Sequence, residues 1–514
     1  MKFITNGPDI PGRLLQAHEE GELVFFCGAG ISYPAGLPGF AELVENLYAA
    51  LAISPNPIQQ AAIEAGQYDI AVGLLEGEIV DGRNQVRRAL ADILVPNLSA
   101  PNATRTHEAL LTLAKGRNGR TRLITTNFDR VFAEVIAKMQ ILVRCYEAPL
   151  SPVPKDRWDG LVYLHGLLGS ELHPDELDRL VISSGDFGLA YLIERWAARF
   201  VSELFRNYSV CFVGYRLNDP VLRYMTDALA ADRERGESRP EMYAFGCYDQ
   251  GQESNVAAEW SAKGVIPILY QAHHHHAYLH RSLHAWADTY RDGIRGKERI
   301  VMECAACHPQ VSTEQDDFVG RLLWAISDPA GKPAAYFADM EPVPALAWLG
   351  PLSEGRYGHA DLGSFGIQPH AGSAHTPAFS LIARPTPHDL APLMTLVDAG
   401  ARGSGWDKVM PHLARWLTRH LADPDLLLWL AHRGGQMHAS LMRLIENRLE
   451  ELDKLDCEGN SADVARSCAS TPNLILCPPM RTLWRLILAG RITGPRRDFD
   501  LFHWRGRFRR EGLS

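Results

Sequence analysis

Short apolar runs alternate with segments of helical spacing over the first 295 or so residues, and this alternation constrains the fold more than any other feature. Strands that are apolar at every position suit a parallel sheet buried on both faces by helices. The sequence therefore predicts an α/β fold with a mostly parallel sheet and helices on both faces. The expected strands are 22–27, 122–126, 161–165, 209–214, 241–247 and 265–270, and helical spacing is found at 40–51, 187–207 and from about Asp219.

Residues 53–120 interrupt this alternation, because they carry apolar residues at helical spacing without an obvious strand. We interpret them as a helical insertion between the first two long strands of a domain that spans residues 1–295. The stretch 296–318 mixes charge with Gly, Pro and Ser and predicts a linker. Residues 319–514 return to i, i+3, i+4, i+7 spacing and predict a mainly helical region, with a long loop at 350–385.

The composition narrows the class of protein. A chain of 514 residues suggests roughly two to four domains, and a formal charge of −9 does not favour a general nucleic-acid binder. The N-terminus lacks the apolar core of a secretory signal, and the sequence has no apolar run of membrane-spanning length. Nine cysteines in so long a chain give no disulfide framework. We therefore expect a cytoplasmic protein that does not enter a membrane.

A glycine turn directly follows the first expected strand, in the segment FFCGAGISYPAGLPGF at residues 25–40. Glycines at this point let a backbone approach a pyrophosphate, whose charge then meets the N-terminus of the next helix. A Gly-Ala-Gly turn alone is weak evidence, since many such turns bind nothing. The extension Ala35-Gly36-Leu37-Pro38 with Phe40 makes the pattern far more specific.

Three further motifs follow later strands in a fixed order. Thr126-Asn127-Phe128-Asp129 follows the second expected strand, Leu164-His165-Gly166 ends the third, and Val213-Gly214-Tyr215-Arg216 ends the fourth. Each alone has an ordinary structural explanation, such as a turn, a helix cap or a satisfied histidine. Because ligands of open α/β sheets bind at the carboxyl ends of the strands, we expect the four motifs to form one crevice.

Together these motifs resemble the sirtuins, whose opening pattern is GAGxS…AGxPxF, and most closely the bacterial SIR2-like domains of anti-phage defence proteins. The resemblance covers about residues 15–290 and implies a Rossmann-like domain that binds NAD. It implies that Asn127 positions a water and a ribose hydroxyl, and that His165 is the general base or orients those hydroxyls. An unperturbed histidine, with a pKa of about 6.5, would suit that role. The cofactor-binding residues implied are Gly28, Ala29, Gly30, Ser32, Phe40, Asp129, Gly214 and Arg216.

The departures from the sirtuin pattern concern the acyl-lysine chemistry. Deacylases carry a zinc module of two CxxC pairs after the catalytic histidine, whereas this chain has no cysteine between His165 and Cys211. Gly39 and Ala41 replace an Asp and an Arg of the deacylases. Arg216 replaces a residue that is commonly Ser, although an arginine pairs well with phosphate.

The resemblance therefore implies an NAD hydrolase that releases nicotinamide and ADP-ribose, needs no metal, and depletes NAD during phage infection. Its implied partners are NAD, a phage protein as trigger and further copies of the same chain, with the C-terminal region as the sensor or oligomerisation surface. The alternatives are an NAD-dependent ADP-ribosyltransferase or protein deacylase, or a catalytically silent NAD- or ADP-ribose-binding module. Defence sirtuins of this type often run longer, so the sequence leaves open whether the chain is part of a larger protein.

Three other features have competing interpretations. Cys304-Ala305-Ala306-Cys307-His308 matches a c-type haem pattern or half of a zinc site, but we favour two incidental thiols in a linker. The histidines at 273–276, 280 and 284 fit either a metal site or a surface helix start, and we favour the surface. The basic, aromatic C-terminus could contact nucleic acid, although a solvated helix face explains it better.

Overall fold

The computed structural model of the protein describes residues 1–149, 158–169, 173–216, 240–353, 405–432, 439–457 and 476–493. The contacts divide the chain into two compact units, Met1–Asp292 and Gly293–Ser514. Each unit is described by itself below.

The first unit contains a seven-stranded sheet in which every pairing is parallel. This confirms the predicted α/β class with a mostly parallel sheet. The strands are β1 (Leu23–Cys27), β2 (Arg122–Thr125), β3 (Cys145–Glu147), β4 (Gly160–Tyr163), β5 (Ser209–Val213), β6 (Met242–Tyr248) and β7 (Ile266–Gln271). Their order across the sheet is β3-β4-β2-β1-β5-β6-β7.

The four central strands bury almost every residue, as their continuous apolar sequences predict. All five residues of β1 and all four residues of β2 and of β4 are buried. The sequence did not reveal β3, which is three residues long, lies at the sheet edge and has exposed side chains at Cys145 and Glu147. An edge strand without an apolar run gives no periodic signal.

Helices cover the sheet and fill the interval between β1 and β2. A 3₁₀ helix (Ala29–Ala35) follows β1, and a π-helix (Gly188–Ile193) lies between β4 and β5. The helix expected over 187–207 is therefore divided, and its second part begins after Arg195, which has φ 61°. The α-helices are α1 (Gly12–Glu19), α2 (Phe40–Ala50), α3 (Pro57–Glu64), α4 (Tyr68–Glu78), α5 (Gly82–Ile93), α6 (Arg105–Ala114), α7 (Val131–Met139), α8 (Pro174–Asp178), α9 (Ser184–Phe187), α10 (Trp196–Asn207), α11 (Glu253–Ala262) and α12 (Ala277–Asp292).

The described part of the second unit is helical. Its α-helices are α13 (Ile294–Ala305), α14 (Phe318–Ile326), α15 (Lys332–Asp339), α16 (Leu349–Ser353), α17 (Gly405–Thr418), α18 (Pro424–His432), α19 (Ala439–Cys457) and α20 (Pro478–Thr493). Three tryptophans are fully buried in this unit, and the indole N–H of each donates to a backbone carbonyl 2.9–3.2 Å away. These residues are Trp348, Trp416 and Trp484.

Residues 294–305 form α13 rather than part of the expected linker. Ile300, Val301 and Cys304 are buried in the core of the second unit, so this segment packs like any other core helix. The charged residues of α13 had suggested a solvated connection, but they alternate with apolar residues at helical spacing.

Several expectations fall on residues outside those described. They are the helix from about Asp219, the loop at 350–385 from residue 354 onward, and the basic segment beyond residue 493. Within the described residues, no helix is both long enough and apolar enough to cross a membrane.

Candidate functional site

The motif residues meet at one edge of the sheet because their strands are neighbours. Strands β4, β2, β1 and β5 lie side by side and run in the same direction. Gly28, Asn127, His165 and Gly214 follow these strands within two residues. The carboxyl ends of parallel strands form the usual ligand crevice of open α/β sheets.

The three turn glycines are required by the approach of two loops to each other. A Cβ atom at Gly28 or Gly30 would lie 2.9–3.0 Å from the backbone of Gly214, and one at Gly214 would lie 2.8 Å from the Ile31 nitrogen. Gly214 also has φ 76°, in the left-handed region that favours glycine. The amides of Gly28 and Gly30 donate to the carbonyls of Val213 and Gly214, at 2.9 and 3.0 Å. These two amides therefore hold the loops after β1 and β5 together.

The Ser32 hydroxyl is the centre of a buried polar cluster. It donates a hydrogen bond to Asp129 Oδ2 at 2.8 Å and accepts one from Asn127 Nδ2 at 3.1 Å. It also lies 3.2 Å from His107 Nε2. Because its single proton goes to Asp129, the hydroxyl accepts from His107, whose Nε2 then carries the proton. Ser32, Asn127 and Asp129 are 1%, 7% and 4% exposed.

His107 is a member of this cluster that the sequence analysis did not select. It lies on α6, is fully buried, and its ring meets the Phe132 ring edge-on at 4.5 Å. Burial lowers the pKa of His107 to about 3, and the neighbouring His280 acts in the same direction. Its Nδ1 has no hydrogen-bond partner among the described residues. A lone histidine inside a helical pattern resembles a surface residue, so the sequence alone offered no signal.

Burial also acts on Asp129. It raises the pKa of the Asp129 carboxyl, while hydrogen bonds from Ser32, from the Val131 amide and from Asn127 oppose the change. Asp129 Oδ1 accepts from the Val131 amide at 3.0 Å, at the start of α7. This carboxyl therefore fixes the turn after β2 as well as the Ser32 hydroxyl.

His165 is more enclosed than the sequence suggested. It is 2% exposed, and its Nε2 lies 3.1 Å from the Tyr191 hydroxyl. Burial lowers its pKa to about 3, with Asp186 opposing the shift. The expectation of an unperturbed pKa near 6.5 is therefore wrong, and the ring stays neutral throughout the physiological range.

The chain after His165 is held by a buried arginine of the helical insertion. Arg87 is fully buried and donates to the carbonyls of Leu177 and Leu180 at 2.5 and 2.7 Å, and to Asp186 Oδ2 at 2.6 Å. The same carboxylate oxygen accepts from the Ser183 amide at 3.0 Å. Arg87 therefore joins α5 to the segment that carries the aromatic neighbours of His165. In the sequence it is indistinguishable from Arg88, which is exposed.

A cavity lies over the polar cluster and His165 and encloses about 580 Å³, part of it open to solvent. Most of its wall is apolar, and its polar groups come from the strand ends. This combination is typical of sites for small molecules. It is lined by Ala29, Ser32, Leu37, Pro38, Phe40, Leu43, Leu94, Thr126, Asn127, Phe128, Asp129, His165, Val181 and Phe187.

The predicted site residues occupy different parts of this arrangement. Ala29, Ser32, Phe40, Asn127, Asp129 and His165 line the cavity. Gly28, Gly30 and Gly214 lie in the packed loops behind it, as their mutual contacts show. Arg216 is exposed. Its charge lowers the pKa of Cys247 in β6 and of His276, which follows β7.

Two histidines of the histidine-rich segment are buried, whereas the sequence had predicted a surface position for all of them. His280 and His284 are buried on α12, and Thr106 Oγ1 lies 2.9 and 3.0 Å from their ring nitrogens. His273, His274 and His275 are exposed, as expected. Within the described ranges, no group of three or more His, Cys, Asp or Glu residues is arranged to hold a metal ion.

Cys304 and Cys307 differ in environment, contrary to the expectation of two linker thiols. Cys304 is buried, which raises its pKa to about 11, whereas Cys307 is exposed. A buried thiol with a raised pKa is a weak nucleophile.

Comparison with known proteins finds a related family over part of the first unit. A family model described as a SIR2-like domain matches residues 121–268. That segment includes Asn127, Asp129, His165 and Gly214 but not the glycine turn after β1. Residues 121–268 are therefore similar to SIR2-like domains.

A relative from Sinorhizobium fredii (strain NBRC 101917 / NGR234), named uncharacterized protein y4cA, is 33% identical over 335 residues. The aligned region is 63% of this chain and 27% of that protein. The chain thus spans about a quarter of the relative's length.

Proposed function

We propose that the first unit hydrolyses NAD at the bond between nicotinamide and ribose. The observation that carries this proposal is the presence of Asn127 and His165 in the wall of one cavity, above a buried Ser32–Asp129 pair. The SIR2-like match over residues 121–268 supports NAD as the substrate.

The reaction breaks the C–N bond between the nicotinamide-bearing carbon of ribose and the pyridinium. Both bonding electrons go to the leaving nicotinamide, and a water oxygen forms the new bond to that carbon. The overall balance is NAD⁺ plus water giving nicotinamide, ADP-ribose and one proton. No acyl group and no metal ion is needed for this balance.

Asn127 is the residue proposed to place the water and a ribose hydroxyl. Its Nδ2 already donates to Ser32, so the amide is held in one orientation and its carbonyl oxygen is directed by that bond. Fixing a reactant in this way removes much of the entropic barrier before the chemical step begins.

His165 is proposed to orient the ribose hydroxyls as a neutral ring. With a pKa of about 3, the His165 ring is a weak base at neutral pH. We therefore propose that it acts by hydrogen bonding to the ribose hydroxyls and not by holding a proton. Asp129 is proposed to hold the carboxamide of nicotinamide, and Phe40 to cover that end of the cavity. Gly28, Ala29, Gly30, Gly214 and Arg216 are proposed to border the phosphates and the adenosine half.

The biological role proposed is NAD depletion in anti-phage defence, triggered by a phage protein. We propose that the second unit senses the trigger or joins copies of the chain. Both ideas rest on the resemblance to defence sirtuins. NAD measured in cells that express the chain, with and without phage, tests them: NAD levels that do not respond to infection would count against a triggered role.

Product analysis separates hydrolysis from the alternatives. Purified protein is incubated with NAD, with and without an acyl-lysine peptide and a carrier protein. Equal amounts of nicotinamide and free ADP-ribose, unaffected by the peptide, are expected. Nicotinamide release that depends on the peptide would indicate a deacylase. ADP-ribose attached to the carrier protein would indicate a transferase. NAD that is bound but stays intact would indicate a silent binding module.

A further inference from the structure

Two stacked aromatic rings form one side of the surroundings of His165. The centroids of Phe187 and Tyr191 are 5.8 Å apart, with 25° between their planes. The His165 ring meets both of them edge-on, at 5.1 and 6.1 Å. Phe187 also lines the cavity, and Tyr191 packs against Phe187 and His165. We call this pair of rings the aromatic wall.

The wall is built to stay in place. Phe187 and Tyr191 are 2% and 5% exposed, and the Tyr191 hydroxyl lies 3.1 Å from His165 Nε2. Tyr191 belongs to the π-helix, a rare conformation that is frequent at functional sites. Phe187 directly follows Asp186, whose carboxylate receives Arg87. Both ends of the wall are therefore fixed by buried polar contacts.

Phe187 and His165 lie in the wall of the same cavity. A molecule that approaches His165 along this wall meets aromatic carbon, and an alcohol or a side chain needs more room there than water does. Resting on the proposed function, we propose that Phe187, backed by Tyr191, selects water as the acceptor of the ADP-ribosyl group. Phe187 is the specificity-determining residue that excludes larger hydroxyl compounds, and Tyr191 is a positioning residue that packs against it.

The selection can be measured with simple alcohols as competing acceptors. An alcohol oxygen forms the same bond to the ribose carbon, nicotinamide leaves with the bonding electrons, and the alcohol proton goes to solvent. The product is O-alkyl-ADP-ribose instead of ADP-ribose. Because both products come from one enzyme in one tube, their ratio does not depend on how much of the protein is folded and active.

The experiment uses the full chain with NAD in buffered mixtures of water and methanol, ethanol or 1-propanol, and mass spectrometry gives the product ratio. We expect the unsubstituted protein to form little alkyl product, with the ratio falling steeply from methanol to propanol. Phe187→Ala should raise the propanol ratio about tenfold or more, as expected when a pocket gains room for a few methylene groups. The control is Leu192→Ala, which alters a residue of the same π-helix that is 66% exposed and should keep the original ratio.

An unchanged ratio in Phe187→Ala would overturn the inference while leaving hydrolysis intact. If that variant does not fold, Phe187→Leu keeps part of the volume and should give a smaller rise, and again no rise would overturn it. Equal use of methanol and propanol by the unsubstituted protein would also overturn it. Absence of any NAD cleavage would instead refute the proposed function, and the selection would fall with it.

Discussion

Asn127 donates a hydrogen bond from Nδ2 to the Ser32 hydroxyl at 3.1 Å, across 95 positions of sequence. This contact joins the loop after β2 to the 3₁₀ helix after β1. The same hydroxyl donates to Asp129 and accepts from His107. One serine therefore orients the amide that we propose positions the attacking water.

Ser32→Ala should lower the rate of NAD cleavage as well as the free energy of unfolding. The substitution removes the acceptor of the Asn127 amide and the donor to Asp129 Oδ2, while Asp129 Oδ1 keeps the Val131 amide. Leaving a buried polar group unsatisfied typically costs about 1–3 kcal/mol. Loss of a fixed orientation at Asn127 should add a fall in kcat. Steady-state rates and urea unfolding check this, with Ser327→Ala of the second unit as the control. Unchanged kcat in a destabilised protein would restrict Ser32 to a structural role.

Gly214→Ala should destabilise the first unit, because the left-handed backbone costs about 1–2 kcal/mol for a residue with Cβ. The new Cβ would also press on the Ile31 nitrogen at 2.8 Å. Gly39→Ala is the matched control, since Gly39 has φ −70° and a Cβ added there would have no atom within 4 Å. Thermal unfolding should distinguish the two. Equal midpoints would contradict the packing that we assign to the glycines.

Arg87→Met should cost about 3–5 kcal/mol, the usual loss when one partner of a buried ion pair is removed. Asp186 would keep Arg83 at 2.8 Å from its Oδ1, but its Oδ2 and the carbonyls of Leu177 and Leu180 would lose their buried donor. The neighbouring Arg88→Met changes an exposed residue and should stay within about 0.5 kcal/mol of the parent protein. Chemical unfolding of the two variants checks this pair, and similar stabilities would count against the anchoring role of Arg87.

The free energy of unfolding of the first unit should fall as the pH drops below about 6.5, because His107 and His165 are buried as neutral rings. His107 and His165 have a pKa of about 3 in the folded protein, against about 6.5 in an unfolded chain. The unfolded state therefore binds more protons between these values, and stability is complete above about pH 6.5 and is lost as the pH falls towards the folded pKa. Each histidine contributes roughly 1.4 kcal/mol per pH unit in that interval.

Hydrogen exchange of peptides from α6 and β4 measures this opening free energy at pH 7 and pH 5. His107→Asn keeps a donor for Ser32 but removes one titrating group, so its acid sensitivity should be smaller. An identical pH dependence of the parent and the variant would show that His107 is not neutral in the folded protein.

The sheet was predictable because its central strands are apolar at every position, and parallel pairing then brings the motifs after β1, β2, β4 and β5 together. The edge strand β3 could not be predicted, because Cys145 and Glu147 are exposed and the strand has no apolar run. The cavity residues that follow a strand could be found by their motifs. His107, Arg87 and Tyr191 could not, because their roles come from contacts 75 to 99 positions away or from an irregular helix.

The same limit explains the errors at Cys304 and His165. Burial decides both pKa values, and burial depends on which helix faces which core. A local sequence pattern shows that a residue lies after a strand or on a helix. It does not show how completely tertiary packing removes it from water.

Nicotinamide release by the purified chain, compared with His165→Asn and Asn127→Ala, tests the central claim most directly. Asparagine is preferred at His165, because alanine would leave a hole beside Phe187 and Tyr191. We expect equal amounts of nicotinamide and ADP-ribose from the parent protein, a loss of about 10²-fold or more in each variant because both residues are proposed to position the reactants, and an unchanged rate for the exposed control Cys307→Ser. Cleavage at the parent rate in both site variants, with unfolding midpoints unchanged, would contradict the proposed site.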